Sequence, residues 1–264
     1  MSKTTIHPTA QVASGARLGI GATVGPYAVI EDDVKIGAYS TIEAHAVIHR
    51  YVTMGEHSRV HPHVVIGGLP QDISFDADTT TFVSIGDRTV FREGVTINRA
   101  TKPNSATHIG SGCYFMNNSH VAHDCRVGDE TIFASNAAIG GHTEVGNKVF
   151  LGGGAMVHQY CRIGSLVMVS GTMGVLQDVL PYTMVMDSPA RHYRLNVVGL
   201  KRAGIVGKRY KVLSAAFRRL KNRESIDDLA ETPEIIELKR WLSAESKRGI
   251  SSFLGTRKSE RGAG

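Results

Sequence analysis

An apolar residue returns at every sixth position from Ile6 onward: Val12, Leu18, Val24, Ile30, Ile36, Ile42, Ile48, Met54, Val60 and Ile66. The period resumes at Ile85, Phe91 and Ile97, and again from Ile109 through Phe115, Val121, Val127, Phe133, Ile139, Val145, Leu151, Val157, Ile163 and Val169 to Val175. Six-residue spacing fits neither the 3.6-residue turn of a helix nor the two-residue alternation of a long strand. A triangular parallel β-helix satisfies it, because each hexad supplies one short strand and one turn, and three hexads return the chain to the same face one layer higher. The inward ladder is then the core. Glycine follows many inward residues, as at Gly19, Gly37, Gly55, Gly128 and Gly146, where its small size and its freedom at positive φ are expected to suit tight corners.

Two polar stretches interrupt the period, residues 68–84 and 98–108, and both read as loops projecting from the prism, where functional residues gather. Beyond Gln177 and Asp178 the grammar changes. The segments NVVGLKRAGI, GKRYKVLSAAFRRLKN and TPEIIELKRWLSAESK carry apolar residues at helical spacing with basic residues on their other faces. The expected class is mainly β: a parallel β-helix of hexapeptide repeats over 1–191, with loops at 68–84 and 98–108, then a small basic α-helical domain over 192–264.

Charge sharpens this division. Residues 188–264 hold 18 Lys+Arg against 8 Asp+Glu, whereas residues 1–187 hold 12 against 16. Such a tail attracts an acidic partner: nucleic acid, an anionic membrane surface or an acidic protein. The opening MSKTTIHPTA has no apolar signal region, and no apolar run reaches the ~18 residues of a membrane span, so a cytoplasmic protein without stable membrane insertion is expected. Cys113, Cys125 and Cys161 form no CxxC pair, which suggests neither a disulfide framework nor a zinc knuckle.

Since a coil is 18 residues, His123, His142 and His158, spaced by 19 and 16, fall on successive layers of one corner, with His120 close by. Polar turn residues stack in any such prism, as His45 and His63 do at a spacing of 18. Two chemistries compete for the larger cluster. A zinc site is one, since gamma-class carbonic anhydrases are also hexapeptide-repeat proteins that bind zinc through three histidines, but their paired ligands lie five apart and here the close pair lies three apart. Base catalysis is the other: the imidazole of His123 can take a proton from a hydroxyl while adjacent Asp124 fixes its tautomer. The chain has no GxSxG elbow, no P-loop and no cysteine set beside a histidine with a third partner. A transferase of this kind would act by holding donor and acceptor together while a base activates the acceptor.

GGLPQD at 67–72, TINRAT at 96–101, HVAHDC at 120–125, GGH at 140–142, VHQ at 157–159 and NVVGLKRAG at 196–204 closely resemble, in order and spacing, the bacterial UDP-N-acetylglucosamine O-acyltransferases that open lipid A biosynthesis. The resemblance spans nearly the whole chain and implies a left-handed coil, which periodicity alone does not fix. It implies His123 as general base on the sugar 3-hydroxyl, Asp124 as its orienting acid and the Gly141 N–H facing the oxyanion. It further implies that His120, His142, His158, Gln159, Asn196 and Arg202 line the nucleotide-sugar site, that Gln71 and Asp72 lie near the sugar and acyl chain, and that Gly171 sits at the acyl-length ruler. No metal or cofactor is implied. The partners implied are acyl carrier protein, a UDP-sugar and two further copies of the chain in a homotrimer with active sites between prisms; the acidic carrier protein, rather than nucleic acid, answers the basic tail.

Three positions depart from the family pattern. Ser74 stands where a lysine is frequent, Ala203 where a second arginine is frequent, and Asn98 where some members have histidine. Weaker binding of the diphosphate, compensation from Arg191 and Arg194, or a different acceptor such as a 3-amino sugar nucleotide would follow. Two further readings stay open: an acetyl-CoA-dependent hexapeptide acetyltransferase, which does not account for the basic tail, and a trimeric binding paralogue without turnover.

Overall fold

A computed structural model describes residues 3–255; the last part of the expected helical domain, 256–264, lies outside the described residues. Short strands, most of two residues, build three sheets of eleven, nine and eight strands. Successive strands go to different sheets, and each strand pairs in parallel with the third strand along, as in Thr23↔Thr41, Val29↔Val47 and Lys35↔Thr53. The one antiparallel pair among the described residues is Thr183–Met186 with Arg191–Leu195. The inward ladders are the six-residue series read from the sequence, buried from Val24 to Val175. Phe91, Phe115 and Phe133 stack one above the next within the first sheet. Ile6 is 46% exposed, because the first coil has no layer beneath it.

The corners correct one expectation. Glycines after the inward residues mostly do not take positive φ; that conformation falls two residues later, on Tyr27, Asp33, Tyr39, His45, Asp124, His142 and Tyr160 among others. A turn whose third residue is left-handed meets the type II requirement, and side chains accept the local strain there because the stacked coils impose it. The glycines serve close approach instead. A Cβ on Gly37 would lie 2.4 Å from the Gly55 carbonyl carbon, and one on Gly128 2.7 Å from that of Gly146.

Both interruptions leave from the corner between the second and third sheets, in the two coils directly below the turn Ala122–Cys125. They lengthen the corner without disturbing the ladders, so Arg59 pairs with Val90 and Val90 with Tyr114 in ordinary parallel register. Any site on that corner is therefore flanked by two loops.

Past the hexads, helices α1 (Val197–Arg202), α2 (Gly207–Lys221) and α3 (Pro233–Ser243) pack around Leu180, Tyr182, Leu195, Leu213 and Leu238. Thr232 caps α3 by accepting the Ile235 N–H, and proline opens the helix. No helix among the described residues is long and apolar enough to cross a membrane. Arg162 fastens this unit to the prism: its backbone and Nε donate to buried Asp178 at 2.8 Å each, its Nη1 donates to the Trp241 carbonyl, and its guanidinium lies 4.3 Å from the Trp241 ring centre. His192 fastens the segment at Ser251 and Phe253. Its Nε2 accepts the Leu180 N–H and its Nδ1 donates to the Ser251 carbonyl, both at 2.9 Å, with the Phe253 ring against it.

Burial pushes His192 down to about 4. In the unfolded chain the ring titrates in the ordinary imidazole range, so the stability that neutral His192 contributes is complete above that range and is lost as pH falls through the folded pKa, amounting to at most about 3 kcal/mol. Thermal melts from pH 7 down to 4.5 are expected to drop more steeply for the native chain than for His192→Gln. Parallel curves would remove the assignment.

Candidate active site

Vertical stacking decides what meets what at the corner of Ala122–Cys125. His123, Gly141 and Gln159 share one column, Asp124, His142 and Tyr160 the next, and Ala122, Gly140 and His158 the one before; backbone bonds from the His142 N–H to the His123 carbonyl and from Tyr160 to Gly141 fix this register. His123, His142 and His158 thus occupy successive coils at three different turn positions. Gly141 lies over His123, and the ring uses the space: a Cβ on Gly141 would lie 2.5 Å from His123 Cε1 and 2.7 Å from Nε2. Among the described residues the Gly141 N–H has no hydrogen-bond partner.

His123 Nδ1 lies 2.9 Å from Asp124 Oδ2, with side chains only 14% and 10% exposed. An ionised carboxylate only accepts, so Nδ1 carries the proton and Nε2 is the basic nitrogen. The carboxylate is held from its other side by the second loop, with the Thr101 hydroxyl donating to Oδ2 at 2.7 Å and the Thr101 N–H reaching both oxygens at 3.1 and 3.2 Å. Burial alone would raise the Asp124 pKa, but the donors from Thr101 and His123 outweigh it and hold the carboxyl below its usual range. Burial pushes both His120 and His142 down. His142 meets His123 edge-on at 5.2 Å and stacks flat on Tyr160 at 4.6 Å.

Ligand atoms of His123, Asp124 and His142 lie within 4.8 Å of one another, the spacing a cation would need. The donor chemistry fits poorly. Asp124 Oδ2 already accepts from His123 Nδ1 and from the Thr101 hydroxyl, so an ion would displace both and turn the imidazole around. Cys125, next in the chain, is no nucleophile: its thiol donates to the Gly140 carbonyl, and burial pushes it up to about 12.

TINRAT at 96–101 organises the neighbourhood residue by residue. Thr96 Oγ1 lies 2.7 Å from His120 Nδ1, Asn98 Nδ2 donates to the Leu69 carbonyl, Arg99 Nη2 donates to the Ala77 carbonyl with its guanidinium between the Tyr51 and Phe75 rings, and Thr101 holds Asp124. Two of these four contacts pin the first loop, which carries Gln71 and Asp72. Gln71 joins His120, His123, Gly140, Gly141, Met156, His158 and Gln159 around a cleft of about 390 Å³ on the second-sheet side. Asp72 accepts from the Ser74 hydroxyl and N–H, chiefly the hydroxyl, which lowers its pKa. His158 Nδ1 donates to the Gln159 carbonyl.

Three expected residues stand elsewhere in the same chain. Asn196 and Arg202 line a groove of about 560 Å³ against the first sheet, with Lys148, Phe150, Leu166 and Met168. Asn196 also caps α1, accepting the Gly199 N–H while its Nδ2 donates to the Leu166 carbonyl. Gly171 is on the corner between the first and second sheets, where a Cβ would lie 3.0 Å from the Gly153 carbonyl oxygen. Of the cations expected to compensate for Ser74 and Ala203, Arg191 is paired with Asp187 and Arg194 lies over the Tyr193 ring. Thr101 was missed by sequence reasoning; the TINRAT motif contained it, but nothing in the six-residue period marked it as the partner of Asp124.

Stacked hexapeptide coils bearing an acid-paired histidine at a corner cleft define a hexapeptide-repeat transferase, and the family pattern of the bacterial transferase hexapeptide matches residues 15–50 and 106–141. The second-domain pattern of UDP-N-acetylglucosamine O-acyltransferase matches residues 178–262, and the acyl-acyl-carrier-protein UDP-N-acetylglucosamine O-acyltransferase of Syntrophobacter fumaroxidans is 40% identical over 93% of this chain and 98% of its own. The chain belongs to the UDP-N-acetylglucosamine O-acyltransferase family and is an acyltransferase. A relative of the same name from Thermodesulfovibrio yellowstonii is 38% identical with the same coverage. The solved UDP-N-acetylglucosamine acyltransferase of Campylobacter jejuni superposes with a TM-score of 0.87 at 32% identity, covering 94% of this chain and 99% of that one. The LpxA structure from Acinetobacter baumannii gives 0.87 at 30% identity, covering 93% and 99%. The fold is the left-handed parallel β-helix.

Gly141→Ala is expected to push the His123 ring off its contact with Asp124 and to lower acyl transfer by at least tenfold, roughly the effect of one lost catalytic contact. A crystal structure of the variant, read beside its kcat, checks this; an unmoved ring with full turnover would count against the packing argument.

Proposed function

We propose that the chain transfers an acyl group, a 3-hydroxyacyl group as the family resemblance suggests, from acyl carrier protein to the 3-hydroxyl of UDP-N-acetylglucosamine, the first step of lipid A biosynthesis. The names of its relatives give the donor, an acyl-acyl-carrier-protein, and O-acylation of UDP-N-acetylglucosamine. One observation carries the mechanism: His123 Nδ1 is locked on Asp124, leaving Nε2 as the free base, with the unpaired Gly141 N–H in the adjoining coil. Nε2 takes the proton of the sugar hydroxyl as its oxygen attacks the thioester carbonyl carbon. Negative charge gathers on the former carbonyl oxygen, where the Gly141 N–H stabilises it by roughly 3 kcal/mol. The tetrahedral species collapses by breaking the carbon–sulfur bond, and the departing thiolate takes the proton back from His123. No acyl-enzyme forms, consistent with the high pKa of Cys125.

His120, His158, Gln159, Gln71 and Asp72 border the sugar and the acyl chain in this reading, with His142 and Gly171 in the roles given by resemblance. Asn196 and Arg202 face away from this cleft in their own chain. A homotrimer resolves the separation by laying the first-sheet groove of one copy against the second-sheet cleft of the next, so that His123 and Arg202 on one sugar nucleotide come from different chains. The prism of 1–191 then provides the chemistry, and the basic helical domain, 192–264, provides nucleotide contacts and the surface for the acidic carrier protein.

Mass spectrometry of products from a panel of carrier-protein thioesters and UDP-sugars, including a 3-amino sugar, tests the assignment, with His123→Ala as control. Turnover is expected to fall by at least a thousandfold in that variant while the oligomer persists, and to be unaffected by chelators. Full turnover without His123 would end the reading, and a product acylated only on the 3-amino sugar would change the acceptor. Co-expression of His123→Ala and Arg202→Ala chains is expected to recover activity absent from either alone. No recovery would place both residues in one chain's site.

A further inference from the structure

The second loop, which joins the strands Thr96–Asn98 and Ala106–Ile109, lies beside the dyad without lining the cleft that holds His123. What it gives the site is a grip on Asp124. Thr101, 23 residues earlier in the chain, donates its hydroxyl to Oδ2, the same oxygen that receives His123 Nδ1, and its N–H spans both oxygens. Turning the carboxylate therefore breaks the hydroxyl contact and the imidazole contact together. Ser105 does not duplicate this role: its hydroxyl donates to the Lys102 carbonyl at 2.6 Å and stands 3.5 Å from Asp124. Nor is the Thr101 hydroxyl needed to close the loop, which is held by Asn104 N–H on the Thr80 carbonyl, Ser105 N–H on the Lys102 carbonyl and Arg99 on Ala77.

We infer that Thr101 is the positioning residue of the dyad, fixing the plane of Asp124 so that the His123 ring presents Nε2 to the acceptor. The inference rests on the acyl-transfer reading above and adds a residue that the six-residue period does not reveal. Thr101 touches neither reactant; it acts through Asp124. Losing its hydroxyl leaves the sugar contacts in place and slows the chemical step.

Thr101→Val keeps the shape and the N–H but removes the hydroxyl donor, and Thr101→Ser restores it. In the full chain, Thr101→Val is expected to lower kcat by roughly tenfold to a hundredfold, the effect of one charge-assisted hydrogen bond, with the KM for UDP-sugar within about twofold. Thr101→Ser is expected to recover most of that loss. A proton NMR readout independent of turnover accompanies it: the low-field His123 Nδ1–H resonance, identified by its loss in His123→Ala, is expected in the native chain and in Thr101→Ser and not in Thr101→Val. Should the valine variant fail to fold, the serine variant with native kcat and an intact resonance supports the inference, and a serine variant lacking both overturns it. A valine variant with native kcat, or with its loss falling mainly on KM, also overturns it. His123→Ala separates the two levels, since turnover in that variant removes the acyl-transfer reading itself, whereas a dead His123→Ala beside a fully active Thr101→Val removes only the role of Thr101.

Discussion

Parallel stacking of identical coils is the constraint on which everything else rests. Each strand inside a sheet bonds to the strand one coil above and one coil below, as Thr96↔His120↔Ala138 shows, so a residue's neighbours are fixed by its position within the turn more than by its place in the chain. A side chain at a corner must fit against whatever occupies the same position one layer on. For His123 that neighbour is Gly141, and only a residue without a Cβ leaves room for the imidazole. The geometry of the dyad thus derives from the register of the core ladders, with Val121 and Ile139 holding the two turns at one spacing.

The same register explains why insertions are tolerated and where they do useful work. Extra residues between strands leave the ladders paired as long as the chain re-enters at the proper slot, which it does after both loops. Both leave from the corner that carries the dyad, in the coils just below it. A bare prism offers only shallow faces; loops on one corner give that corner walls and additional hydrogen-bond donors. Asn98 and Arg99 in the upper strand and loop hold the lower loop in turn, so the two insertions are braced against each other as well as against the prism.

How much of this was legible follows from the range of each interaction. The inward ladder is a local, strictly periodic signal, and the residues it named from Val24 onward are buried. The helical tail was equally plain, down to Thr232 and Pro233 at the start of α3. Glycine at the corners is visible in the sequence but its cause is not, because small size is evident there without showing whether torsion or close approach demands it. His123 beside Asp124 is a neighbour pair that any reading can propose, whereas Gly141 comes only with the family resemblance, since nothing in its own motif marks the N–H as a donor. Thr101 could not be found in this way: it lies in a loop outside the period, and its contact with Asp124 depends on the path of that loop. The separation of Asn196 and Arg202 from His123 is likewise invisible to motif spacing, since motifs order residues along a chain and say nothing of which face of the prism each one meets.

Electrostatics gives the assembled corner its polarity. Burial lowers the proton affinity of His120 and His142, while the donors around Asp124 keep that carboxyl ionised despite its burial. One carboxylate therefore stands among imidazoles, two of which resist protonation. A proton arriving on His123 produces the cation that sits 2.9 Å from the carboxylate through Nδ1, and His142, at 3.8 Å, is the weaker competitor for the same oxygen. A carboxylate left free to turn could serve either ring. Held by the Thr101 hydroxyl and amide, Oδ2 faces His123, so in the proposed mechanism the loop that orients the acid also sets which ring serves as base.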